Sequence, residues 1–227
     1  MKTKTLLFAM MLVFSTASFA QFKIPKNPMG AMMGEEEEEQ EQQEPAGDIT
    51  QIQARLVNDV ADALTEVIEA QALIAEAQGN SEKAASLRVT SDTLKGGENR
   101  DEAIQGAVQT VKETAEEQQA VFSASEDMSD DSKALYAKAL VPYVKSVAKT
   151  AKLRDPAMDF LKEAQNEIKS IRNPMQISKM QGSLSTGMFI GQNVPVLIGS
   201  LVKSSTDLLS FAKSNDLDTS EASSMEL

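Results

Sequence analysis

Residues 48–78, DITQIQARLVNDVADALTEVIEAQALIAEAQ, run without a Gly or Pro. As one helix, such a stretch of about 30 residues is a rod of roughly 45 Å, at ~1.5 Å per residue. Val60, Val67 and Ile74 recur every seven residues, and Leu56, Ala63, Ala70 and Ala77 fall between them. This is the alternating three-four rhythm of a coiled-coil seam. Three of the seam positions are Ala, so a partner helix can approach closely. Leu64, Ile68 and Leu73 widen the apolar stripe beyond a two-stranded seam, which predicts more than one neighbour.

Composition points the same way. The chain has 227 residues, 41% apolar but only 4% aromatic, with no Trp. Its core must come from Ala, Leu, Val, Ile and Met, which suits helix bundles better than sandwiches. Cys and His are both absent. That removes disulfides, Cys/His zinc sites, haem ligation by His or Cys, triads with a His base and the Glu-x-x-His di-iron signature. No cofactor or metal is expected. The net charge of −12 opposes binding to a phosphate backbone or an anionic membrane. Nucleic acid is therefore not an expected partner.

Residues 1–20 read as a secretory signal peptide. Lys2 and Lys4 form the positive start, Leu6 to Phe14 the apolar middle, and Ser18 and Ala20 the small residues before a cut at Gln21. The apolar run is shorter than the ~20 residues of a membrane span, and no Cys follows to carry a lipid. The expected location is periplasmic or extracellular. Residues 21–47 read as a disordered Met/Glu-rich spacer, punctuated by Pro and Gly and carrying Glu35 to Glu39, Glu41 and Glu44. Met29, Met32 and Met33 belong to that spacer rather than to a copper site.

Beyond Gly79-Asn80 further helices follow: about 81–94, then 100–125 with Asn99 and Glu102 as a capping box, then 130–154 with a kink at Pro142. Three more are expected at 156–172, 174–190 and 194–214. Asp155-Pro156 and Asn173-Pro174 each set a capping side chain before a first-turn Pro. Asn193 stands similarly two residues before Pro195. Residues 215–227 are polar and expected to fray. The fold class is all-α, a single-domain bundle of five to seven helices over 48–214.

Chemistry is sparse. Ser146-Val-Ala-Lys149 and Ser210-Phe-Ala-Lys213 match Ser-x-x-Lys, but the partner motifs of that chemistry are missing. Asp216-Leu-Asp218 begins like a calcium loop but has Glu221 at the glycine position and Leu227 at the end. Asp127-Met-Ser129 fails in the same way, with Ser132 and Lys138 at those positions. Glu113 and Glu117 are spaced as a solvated helix face.

The least ordinary stretch is 182–202. It is free of charge and holds Gly182, Gly187, Gly191 and Gly199 around a Gln192-Asn193 turn. Met188, Phe189, Ile190, Val194 and Leu197 are its candidate interaction or membrane residues. One reading makes it a buried helical hairpin at the bundle centre; the other makes it a membrane-active segment. The leading function is an exported, soluble, non-enzymatic helical protein that binds or scaffolds an envelope or secreted protein. The alternative is a secreted membrane-active helical protein using the hairpin 182–202. Membrane contact is the less favoured of the two.

Overall fold

The computed structural model describes residues 47–97, 99–122 and 128–225. The expected leader and spacer, up to residue 46, and residues 123–127 lie outside the described residues. The helices are α1 (Gly47–Ala77), α2 (Ser81–Gly96), α3 (Arg100–Phe122), α4 (Asp130–Ala151), α5 (Arg154–Ser170), α6 (Pro174–Ser183), α7 (Ser185–Ser214) and a short α8 (Ser220–Ser223). No strand occurs among the described residues. This is an all-α bundle of seven helices of ten or more residues and one four-residue turn of helix.

The widened stripe of α1 does what its breadth requires. Leu64, Val67, Ile68 and Ile74 are each 0% exposed, and Ala61, Ala70, Ala72 and Ala75 are buried between them. Burying each of the larger side chains contributes about 1.5–3 kcal/mol relative to leaving it in water. The helix packs most extensively on α2 and α4, and also on α3, α5 and α7. Its acidic outer edge is flanked by cations: Glu76 meets Arg88 at 2.7 Å, Glu69 meets Lys95, and Glu66 meets Lys149 at 2.7 Å. Such exposed pairs add ~0–1 kcal/mol each and help little beyond choosing neighbours.

Helix directions follow from paired contacts. Lys149 lies beside Glu66 and Tyr136 beside Gln78, so α4 runs antiparallel to α1. Tyr143 Oη donates to Ser204 Oγ at 3.1 Å, and Phe211 lies 5.1 Å from Tyr136 between ring centroids. Hence α7 runs antiparallel to α4 and parallel to α1.

The ends of the helices have local causes. Gly79 sits at φ +75°, where Asn80 N–H reaches Ala75 C=O (2.8 Å) and Gly79 N–H reaches Glu76 C=O (2.8 Å). That is a Schellman turn, which uses two of α1's terminal carbonyls. Asn80, Ser129 and Asn173 cap α2, α4 and α6 by accepting from Lys83, Ser132 and Met175 N–H.

Several expectations are corrected. Asn99 has φ +49°, away from the extended backbone of a capping residue. Asp155 is not a cap either, because α5 starts at Arg154 behind Leu153, which makes no side-chain capping bond. The fourth helix stops at Ala151, short of residue 154, and carries Pro142 inside it at an exposed position, so the carbonyl it leaves free can face water. Residues 215–225, expected to fray, turn back. Asp216 takes φ +59°, Leu217 N–H reaches Ala212 C=O at 3.0 Å, and Ala222 is buried with α8 against α4.

The largest correction concerns the hairpin. There is no turn at Gln192-Asn193: α7 is continuous from Ser185 to Ser214, with Pro195 inside it. Asn193 does not cap forward; its Nδ2 donates back to Phe189 C=O at 2.9 Å. The break lies at Leu184 instead, and Gln53 of α1 holds it. Gln53 Nε2 donates to Ser183 C=O (2.9 Å), and its Oε1 accepts from Gly187 N–H (3.2 Å). One amide thus satisfies an orphan carbonyl ending α6 and an orphan N–H starting α7.

Candidate functional site

The five candidate residues divide across the depth of α7. Ile190, Val194 and Leu197 are fully buried, whereas Met188 and Phe189 are partly buried and packed against the core. They do not come together as an exposed apolar segment. The face of α7 carrying Gly187 and Gly191 is pressed onto α5. A Cβ at Gly191 would lie 2.7 Å from Ala157 O and 2.6 Å from Leu161 Cβ. At Gly187 it would lie 2.6 Å from Phe160 Cζ and 2.8 Å from Gln53 Oε1. The two glycines allow a close antiparallel crossing of α5 and α7.

On the solvent side of that crossing lies a groove of about 390 Å³, walled by Met158, Leu161, Gly191 and Pro195, with Lys162 and Gln165 at its polar edge. Met158 is 48% exposed, and Val196, next to Pro195, is 60% exposed. Sequence reasoning missed both. Each stands one position, about 100° of helix, from a buried residue, Ala157 and Leu197 respectively. A second cavity of about 560 Å³ lies at the far end of the bundle between Gln78, Val121, Met128, Ser132, Tyr136 and Phe211. Burial pushes the Tyr136 phenol up, opposed in part by the neighbouring Gln78 amide.

Catalytic patterns weighed in the sequence dissolve into structure. Ser146 is buried and donates to Tyr143 C=O at 2.8 Å, while Lys149 turns outward to Glu66. Asp218 accepts from Ser220 N–H at 2.9 Å as a local turn, and that bond holds its carboxyl below the usual range. Glu117 pairs with Lys83 at 2.9 Å, and Glu113 accepts from Gln109. Among the described residues no group of three or more Asp or Glu could hold a metal ion.

Among the described residues α7 alone is long and apolar enough to cross a membrane by length and composition, a test that a buried core helix also meets. The fold and groove define an all-α bundle with a shallow apolar groove between two helices. No family model, no curated protein and no solved structure matches the chain.

Proposed function

We propose that the chain is an exported, non-catalytic helical protein that binds or scaffolds another protein through the outer face of α5 and α7. The observation that carries this reading is Met158, 48% exposed in the wall of the groove between α5 and α7. Single exposed apolar residues are ordinary, and Val89 and Met175 are such cases. One that walls a groove together with Leu161, Gly191 and Pro195 fits the anchor pocket of a protein interface. The partner would insert one apolar side chain and meet Lys162 and Gln165 with acceptor groups. Export is supported by the Lys2/Lys4, apolar and Ser18/Ala20 pattern at the start of the sequence. The burial of Ile190, Val194 and Leu197 favours this reading over the membrane-active one, which needs those side chains free for lipid.

The test is capture from the native host's extracytoplasmic fraction with the full chain, after establishing by mass spectrometry that its exported form begins at Gln21. The expected result is a partner retained by the parent and by Val89→Glu, and lost with Met158→Glu. Equal capture by all three proteins would remove the groove from the function.

A further inference from the structure

Two layers of the bundle lie one heptad apart. In the end layer, Phe122, Tyr136 and Phe211 pack together, with centroid separations of 5.1–6.4 Å, and Gln78 lies beside Tyr136. Seven residues inward along α1, α3, α4 and α7 stand Gln71, Ala115, Tyr143 and Ser204. This inner layer is polar although it lies in the middle of the core. Gln71, Ser204 and Ser205 are 0% exposed, Thr114 1% and Gln118 2%.

Its hydrogen bonds run between helices. Gln71 Nε2 donates to Val111 C=O, and Gln118 Nε2 donates to Gln71 C=O, both at 3.0 Å. These bonds fix how the amides point, since flipping either would set oxygen against oxygen. Both amide oxygens then face elsewhere, and neither Gln71 Oε1 nor Gln118 Oε1 has a partner. Thr114 Oγ1 and Ser205 Oγ have none either. Other buried hydroxyls bond their own helix: Thr150 to Ser146 C=O and Ser146 to Tyr143 C=O, both at 2.8 Å. Thr114 and Ser205 forgo that bond. Upwards of ~90% of buried polar groups in proteins are paired, so four bare oxygens in one layer call for an occupant.

We infer that this layer is an internal hydration site, a water held between α1, α3 and α7. It donates to the amide oxygens of Gln71 and Gln118 and accepts from the hydroxyls of Thr114 and Ser205. Two groups that only accept and two that can donate match the two protons and two lone pairs of water. A cation would exchange its hydration shell for neutral oxygens with no carboxylate among them. An anion would face two amide oxygens. The water completes a chain of polar contacts already linking α3 to α1 and α4 to α7, so it fixes the register of the four long helices in an otherwise slippery apolar core.

Thr114→Val and Ser205→Ala in the full chain test this, because valine keeps threonine's shape and loses only the hydroxyl. If the hydroxyl serves a bound water, Thr114→Val should lower the thermal midpoint by about 2–4 °C, with Ser205→Ala acting in the same direction. If the hydroxyl is bare, its removal should leave the midpoint unchanged or raise it. A second measurement uses the unsubstituted chain. Magnetisation transfer by NMR should pass from a long-lived water to the Thr114 methyl and to the side-chain amide protons of Gln71 and Gln118. Absence of that transfer, or a midpoint not lowered by Thr114→Val, overturns the site.

Discussion

Gly191 and Gly199 stand about two turns apart on α7 and have opposite surroundings. Gly191 faces the Ala157 carbonyl of α5, a backbone atom that cannot swing aside, whereas a Cβ at Gly199 would meet nothing within 4 Å. Gly191→Ala should therefore force α5 and α7 apart and cost about 1–3 kcal/mol. Gly199→Ala should stabilise by about 0.5–1 kcal/mol, because alanine loses less backbone freedom in a helix. Urea midpoints of the two variants should move in opposite directions, and a shift of the same sign in both would refute the crossing geometry. The sequence showed four glycines in an uncharged stretch, but not which of them meets a neighbour. That depends on where α5 lies, and no local pattern encodes it. The amide of Gln53 was equally illegible, since its partners at Ser183 and Gly187 are 130 or more residues away.

At the level of the element, α7 decides between core and membrane. Leu197 is 1% exposed, so Leu197→Ala should cost ~2–5 kcal/mol in water with no lipid present. Phe189→Asp should also lower the melting temperature, because Phe189 packs against the core. A Phe189→Asp protein that melted like its parent would contradict that packing. The same helix shows where sequence patterns compete. Asn193 before Pro195 resembles a helix start, which is why a turn was expected there. The apolar phase, however, runs through it unbroken: Ile190, Val194, Leu197 and Leu201 keep one stripe, all buried. A turn would have rotated the later residues off that stripe, so continuity had the stronger physical warrant. The first helix offered no such conflict. Its heptads carried the fold class, and its breadth foretold several neighbours. Capping chemistry was legible where the Asx side chain stands alone before a Pro, as at Asn173. It misled at Asp155, where helical backbone begins one residue earlier.

Taken as a whole, the molecule should respond to alkali through its two tyrosines, because both are buried between α4 and the helices around it. Burial pushes the Tyr143 phenol up to about 12, although its bond to Ser204 and the nearby Gln71 amide pull the other way, and the Tyr136 phenol is raised by the same cause. An unfolded chain releases these protons near ~10. Between pH 10 and 12 the unfolded state therefore binds fewer protons than the folded one, and stability falls as pH rises. Below pH ~10 both states hold their phenolic protons, and the contribution is fully present. A gap of about two units corresponds to roughly 2–3 kcal/mol of stability lost across that window from Tyr143, with Tyr136 adding in the same direction. The bond to Glu69 raises Lys95, so the parent's pH profile alone does not isolate the phenols. Comparison with Tyr143→Phe does. The variant should be less stable at neutral pH, having lost the bond to Ser204, yet its stability should decline less steeply above pH 10. Tyrosinate absorbance of the folded parent should likewise rise later than that of the unfolded chain. Equal alkaline slopes in parent and Tyr143→Phe would mean that the Tyr143 hydroxyl reaches solvent, contrary to its place in the polar layer between α1, α4 and α7.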